Sequence, residues 1–365
     1  MEPYTPDQLP LDMTTWNWEP LVPLIGLANR QLAYYDGILS SMINPSLFLS
    51  PLETKEAVLS SKIEGTITTI DEVLKYEVNL IPESISKQQD IQEVLNYRKA
   101  MRNATGWSER HLPLNKALIC NIQKELMTGV RGANKSPGQI RKEQNWIGKP
   151  RASMELASYV PPEPLSLSEH LSNLIDYIQL DDQEPILQTA ILHAQFELIH
   201  PFLDGNGRTG RILIPLFLWH KKIIKAPVFY ISEYLEANRD QYYESLRSIS
   251  QDGDWESWVR FFLHAVSTQA EQNALKAKQV LSLYQQMKLR ITAISNSPHV
   301  IQILDTMFAN PMIESTSFIR NSGLNIQTGR RILNKLKDEK ILVTIQPSAG
   351  SRPEILMFKD LMDIL

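Results

Sequence analysis

A chain of 365 residues is long enough for roughly two to three domains, and its single cysteine, Cys120, excludes an intrachain disulfide framework and points to a cytoplasmic protein. Hydrophobic residues at 43% against 21% charged residues exclude wholesale disorder. Lysine and arginine number 37 against 41 acidic residues, a net charge of −4, so the chain as a whole has no basic excess for polyanions and any nucleic-acid surface must be local.

The opening segment, MEPYTPDQLPLDMTTW, is acidic and proline-bearing and lacks the basic and apolar regions of an export signal. Periodicity predicts a helix over 21–42 that breaks at Asn44-Pro45. Ser50-Pro51-Leu52-Glu53 reads as a capping box with Pro at the first helical position, opening a helix over 51–64. Gly65 closes it, which puts Ser60 and Glu64 on one face. Helical spacing resumes after Ile81-Pro82 through Met101, and again over 114–127. The Pro- and Gly-punctuated stretch 136–164 carries two short β-like pieces, 144–147 and 157–160, which predict a lone hairpin. Further helices are expected over 165–179, 186–199, 208–221, 232–248 and 255–278. The longest strongly apolar stretch, 212–219, falls short of the roughly 20 residues a bilayer span needs, so no membrane association is expected.

From about 298 onward the order is helix, helix, helix, then two strands around the turn PSAGSR, which predicts a winged helix-turn-helix with its third helix over 328–339. A domain boundary is expected near Asn296. This tail carries eight basic and seven acidic residues, with Arg330, Arg331, Lys335, Lys337 and Lys340 clustered on or beside the third helix and Arg352 in the turn. Contact with DNA or docking of a protein through 296–365 are both open readings.

One segment concentrates the chemistry: His200-Pro201-Phe202-Leu203-Asp204-Gly205-Asn206-Gly207-Arg208-Thr209-Gly210-Arg211. Gly205 and Gly207 let the main chain approach a ligand, and the apolar run from Ile212 places a helix N-terminus there, with free N–H groups that form an anion nest. Arg208 and Arg211, one turn apart, add two permanent positive charges. A di- or triphosphate suits that combination. Asp204 beside the nest suits Mg²⁺, which needs one or two carboxylates plus phosphate oxygens. His200 is placed to take a proton from a nucleophile attacking the phosphate. Gly205-x-Gly207-x-x-Gly210 also satisfies a dinucleotide fingerprint, but a helical TAILHAQFELIH precedes it where a strand is required. No Lys-Ser or Lys-Thr follows the glycines, so a Walker A loop fails as well. His193 and His200, seven apart, lack a third metal ligand at suitable spacing.

The segment matches the signature H-P-F-x-[D/E]-G-N-G-R-x-x-R, and the chain therefore resembles the Fic family. The stretches GQIR at 138–141, NWIGKPRASMELASYVPPEP and SEYLEANRDQYYESLRSI resemble the family's flap hairpin and following helices, so the resemblance covers most of 50–275. It implies a mainly α fold: an N-terminal helical region at 1–85, a helical catalytic core with a β-hairpin flap at 86–290, and the winged helix at 296–365. It further implies transfer of AMP from ATP to a Ser, Thr or Tyr hydroxyl of a protein, the chain itself included, with release of pyrophosphate. His200 is then the general base, Asp204 the Mg²⁺ ligand, and Gly205, Asn206, Gly207, Arg208, Thr209, Gly210 and Arg211 the phosphate nest, with Tyr243 at the adenine. Ser60-Ser61-Lys62-Ile63-Glu64-Gly65 matches the family's inhibitory pattern [S/T]-x-x-x-E-[G/N], which implies that Glu64 pairs with Arg211 and blocks productive seating of ATP. The family also allows a homodimer, and it includes members that remove AMP or transfer phosphate. An ATP-responsive DNA-binding regulator is the alternative from another class.

Overall fold

The computed structural model describes every residue except 1, 43, 111, 149–152, 182–183 and 296, so the expected boundary at Asn296 and the hairpin tip lie outside the described residues. The chain is mainly helical. It opens with α1 (Trp18–Ser40), capped by the Asn17 side chain, and α2 (Pro45–Phe48), capped by Asn44. Next come α3 (Ser50–Ile63) and α4 (Ile70–Glu77). The capping box expected at Ser50 does not form. Because α2 runs almost directly into α3, the N-cap is Leu49, whose carbonyl accepts from the Glu53 N–H at 3.0 Å, while the Glu53 carboxylate is drawn to Arg102 at 3.3 Å. A capping box is found instead at Thr69 and Glu72, opening α4, a helix the periodicity did not predict.

The bundle continues through α5 (Ile85–Glu109), α6 (Lys116–Leu126), α7 (Leu167–Ile178), α8 (Pro185–Ile199) and α9 (Asn206–His220). The helix expected over 232–248 is two, α10 (Ser232–Ala237) and α11 (Arg239–Asp252). Asn238 separates them: its side-chain amide donates to the Tyr234 carbonyl at 2.9 Å and so ends the first. The next helix, α12 (Trp255–Ser295), is longer than expected. Its second half buries Val280, Leu283, Tyr284, Met287 and Ile291, so the expected core limit at 290 falls inside a helix. Between α6 and α7 the expected hairpin narrows, among the described residues, to one bridge, Ile147 with Tyr159. Gln144 and Arg141 side chains take the Pro161 and Pro162 carbonyls at 2.9 and 2.6 Å, and the prolines have no N–H to offer a ladder.

The C-terminal segment comprises α13 (Val300–Ala309), β1 (Met312–Glu314), α14 (Ser315–Asn321), α15 (Ile326–Asp338), β2 (Val343–Gln346), β3 (Ile355–Met357) and α16 (Lys359–Met362). Its strands form an antiparallel sheet in the order β1-β3-β2 around buried Phe308, Phe318, Leu333, Leu336 and Phe358. Phe308 meets Phe48 of α2, and Lys55 of α3 donates to the Leu365 carbonyl at 2.6 Å, so this segment packs on the start of α3.

The core is centred on α8 and α9. From Ile186 to Ile199 only Glu197 is not fully buried, and α9 is buried without a break from Arg208 to Leu218. The two helices cross at Gly210, where a Cβ would collide with Glu197 and lie 3.1 Å from the Phe196 ring and 3.3 Å from the His193 ring. That close crossing delivers the loop 200–205 to one end of the bundle. Among the described residues no helix is long and apolar enough to cross a membrane.

Candidate active site

The loop joining α8 to α9 is built by its own residues. His200 ends α8 in the left-handed conformation, with φ at 47°, and its N–H donates to the Phe196 carbonyl at 3.0 Å. Asn206 brackets Phe202 from both sides: its carbonyl accepts from the Phe202 N–H at 2.9 Å and its amide donates to the Phe202 carbonyl at 2.8 Å. Gly205, with φ at 80°, turns the chain into α9, and Thr209 answers with N–H and hydroxyl bonds to the Gly205 carbonyl at 3.0 and 2.8 Å. Among the described residues no side chain caps the helix, and its first-turn N–H groups have no intrahelical acceptor.

The His200 Nδ1 lies 3.3 Å from the Glu197 carbonyl, which can only accept, so Nδ1 carries the proton and Nε2 keeps its lone pair. Burial above all lowers the His200 pKa to about 4; the Arg141 charge lowers it too, against the opposing pull of the Glu197 carbonyl, Glu64 and Asp204. The imidazole is therefore neutral near pH 7. Arg141 fixes the loop from outside, donating to the His200 carbonyl at 3.0 Å and the Pro162 carbonyl at 2.6 Å, while its own N–H reaches the Pro201 carbonyl at 3.0 Å.

The two arginines of α9 face different neighbours. Arg208 is buried against α5, with Nη1 3.3 Å from Glu93, and Glu93 also receives the Thr66 hydroxyl at 2.6 Å and Arg131 at 3.0 Å. Arg211, 1% exposed, reaches α3: Nε donates to the Ser60 hydroxyl at 2.8 Å, and Nη2 to the Ser60 carbonyl at 2.9 Å and to the Glu64 carboxylate at 2.6 Å. Its Nη1 has no hydrogen-bond partner among the described residues. Burial pushes the Glu64 carboxyl up, but the Arg211 guanidinium outweighs that and holds it below the ordinary carboxylate range. The same pairing keeps Arg211 charged despite its burial. Gly207 makes room for it, since a Cβ there would run into the Glu64 carboxylate.

A cavity of 670 Å³ opens beside this junction, and it is lined by His200, Gly207, Arg211, Tyr243 and Glu64 together with Glu197. Tyr243 is 36% exposed, and the Arg239 guanidinium lies 5.7 Å from its ring centre. Asp204, Gly205, Asn206, Arg208, Thr209, Gly210 and Ser60, expected at the same site, are not among the residues that line it. The Asp204 carboxylate faces Lys135 at 3.0 Å and Arg208 at 3.7 Å, and its main-chain carbonyl accepts from Gln123 at 2.8 Å. His193 is spent elsewhere: Nε2 meets the Tyr242 hydroxyl at 2.9 Å within an aromatic cluster. A second cavity, of 510 Å³, lies where α3, α4 and α5 meet the C-terminal segment, and none of the motif residues lines it.

Sequence reasoning passed over Glu93, Gln123 and Lys135, and it assigned Glu197 no role; Arg141 appeared only within the flap segment. Glu197 carried a signal, an acidic residue one helical turn before His200 in a helix with no other Asp, Glu, Lys or Arg. Its Oε1 has no hydrogen-bond partner among the described residues, and burial raises its pKa to about 8 in spite of Arg211.

The Fic/DOC family N-terminal model matches residues 22–106 and the Fic/DOC family model residues 113–218, together more than half of the chain. Protein adenylyltransferase fic-1 of Caenorhabditis briggsae is 32% identical over 177 residues, covering 46% of this chain and 31% of that protein. A probable protein adenylyltransferase of Aquifex aeolicus is 24% identical over 199 residues, covering 53% and 56%. The chain thus spans less than two thirds of the length of these curated relatives. Among solved structures, a Fic family protein from Desulfovibrio desulfuricans G20 superposes with a TM-score of 0.59 at 18% identity, covering 98% of both chains. Residues 134–508 of Fic-1 from Caenorhabditis elegans superpose with a TM-score of 0.50 at 22% identity, covering 74% of this chain and 79% of that one, a likeness of fold. With the motif intact on the loop between α8 and α9 and both family models matched, the chain belongs to the Fic/DOC family.

Proposed function

We propose that this protein transfers AMP from ATP to a Ser, Thr or Tyr hydroxyl of a protein and that Glu64 restrains the reaction. The observation that carries this reading is the placement of a neutral His200, its Nε2 without a hydrogen bond among the described residues, on the same cavity as Arg211 and Gly207 in the first turn of α9. His200 Nε2 takes the proton of the incoming hydroxyl, whose oxygen forms a bond to the α-phosphorus as the bond to the β-phosphate oxygen breaks and pyrophosphate leaves. The N–H groups of α9 and the Arg211 guanidinium hold phosphate charge, and positioning with charge stabilisation is most of what such a transfer asks of a protein. Tyr243 and Arg239 offer a face to the adenine. Matches to curated adenylyltransferases support the choice of AMP as the transferred group.

Asp204 fits Mg²⁺. Its carboxylate is one-third exposed, and a single carboxylate suits an ion that takes its other ligands from phosphate oxygens and water. Mg²⁺ held there would neutralise charge on the α- and β-phosphates. Glu64 restrains the reaction by occupying the Arg211 Nη2 that a phosphate would use.

We read the C-terminal segment as a winged helix that docks protein rather than DNA. Lys335 donates to the Ile294 carbonyl at 2.5 Å and Lys337 pairs with Glu354 at 2.9 Å, so two of the basic residues of α15 are engaged internally.

The test is incubation of wild type, Glu64→Gly and Glu64→Gly/His200→Ala with Mg²⁺ and ATP labelled at the α-phosphate, following label on protein. Label on the single variant that vanishes in the double is expected. No label on any form, with ATP bound, would overturn the reading.

A further inference from the structure

The turn after α6 does more than connect. Gly132, with φ at 83°, bends the chain so that the Lys135 N–H reaches the Gly132 carbonyl at 2.8 Å. A Cβ on Gly132 would stand 2.8 Å from Asp204 Oδ2, so the bare backbone lets the turn press against that carboxylate. One side of the turn is fastened by Arg131, which pairs with Asp90 at 2.5 Å and Glu93 at 3.0 Å. The other side delivers the Lys135 ammonium to Asp204 Oδ2 at 3.0 Å, while Oδ1 faces Arg208 at 3.7 Å. Both oxygens of the expected metal ligand thus look at cations of the protein itself. The two differ in how easily they leave. Arg208 is 5% exposed and held by Glu93; Lys135 is 48% exposed on a flexible stem.

We propose that Lys135 is the resident counter-ion of Asp204, which a divalent cation must displace, so that this turn sets the metal concentration at which the nucleotide site fills. The inference rests on the reading of Asp204 as the Mg²⁺ ligand. An ammonium on Oδ2 and a dication on the same carboxylate disfavour each other, because like charges at that separation repel, so the two compete. The measured metal affinity is therefore reduced by the fraction of Asp204 left free. An exposed pair of this kind is weak enough to be displaced, and its strength corresponds to about a two- to fivefold change in metal affinity.

The experiment uses the full chain carrying Glu64→Gly and His200→Ala, which removes restraint and turnover, with a non-hydrolysable ATP analogue present. Mn²⁺ is titrated and followed by the enhancement of water-proton relaxation, which responds to metal held on the protein. Lys135→Ala should lower the Mn²⁺ midpoint about two- to fivefold, and Lys135→Arg should keep it near the parent value. An unchanged or raised midpoint in Lys135→Ala overturns the proposal while leaving the metal reading intact, provided Asp204→Asn abolishes the enhancement. Enhancement that survives Asp204→Asn overturns both.

Discussion

Replacing Glu64 by glycine removes one partner of Arg211 and leaves the rest of its setting in place. Glu64 ends α3 with φ at −86°, so glycine relieves no backbone strain there, and the Ser60 hydroxyl and carbonyl still hold the guanidinium. What is lost is one charge-assisted hydrogen bond of 2.6 Å between a fully buried arginine and a carboxylate that is one-third exposed. Such bonds contribute about 1.5–3 kcal/mol, and solvent access to the carboxylate places this one toward the lower end. At ~1.4 kcal/mol per factor of ten, initial rates of label transfer from α-labelled ATP should rise about 10-fold and no more than about 100-fold. Glu64→Gln, which keeps the shape and a neutral hydrogen bond, should give a smaller rise. An unchanged or lower rate in Glu64→Gly, with the thermal midpoint unaltered, would refute the restraint.

His200→Ala should lower transfer by about 10²- to 10⁴-fold, or ~2.7–5.5 kcal/mol of barrier, with ATP-analogue affinity preserved in calorimetry. Because the base works deprotonated and its pKa is depressed to about 4, kcat/KM should stay level on acidification and fall only as pH drops toward 4; a fall centred near the ordinary histidine value would contradict the assignment. Arg141→Ala removes a nearby positive charge as well as a clamp, so it should shift that acid limb upward and lower kcat, whereas a purely structural loss would leave the limb in place. Gly210→Ala should destabilise the fold by about 1–3 kcal/mol, read as a lower unfolding midpoint in urea, since a Cβ has no room where α8 crosses α9.

The motif was legible because its chemistry is local: twelve consecutive residues hold the base, the nest and both arginines. What supports them was not, because it arrives from far along the chain. Glu93 reaches Arg208 across 115 positions, Arg141 reaches His200 across 59, and Gln123 reaches Asp204 across 81. Helical periodicity records which face is buried and says nothing about which polar side chain meets which. The pairing of Glu64 with Arg211 was reached through family resemblance, across 147 positions, and no spacing rule would have supplied it. Local chemistry also misled where two signals competed. Ser50 looked like a cap, but the chain was already helical ahead of it, whereas Thr69 and Glu72 carried the real cap in a stretch with little apolar rhythm. The second half of α12 was missed because it packs against the C-terminal helices α13 and α15, so its apolar face becomes meaningful only once those partners are in place.

The left-handed backbone at His200 has a thermodynamic consequence separate from its chemistry. A non-glycine residue held there costs on the order of 1–3 kcal/mol, which the bond from Nδ1 to the Glu197 carbonyl offsets only in part. Glycine, or asparagine to a lesser degree, would suit the turn better and lack the base. Stability and turnover therefore pull this position in opposite directions, and a screen that scored folding alone would discard the residue on which the proposed reaction depends.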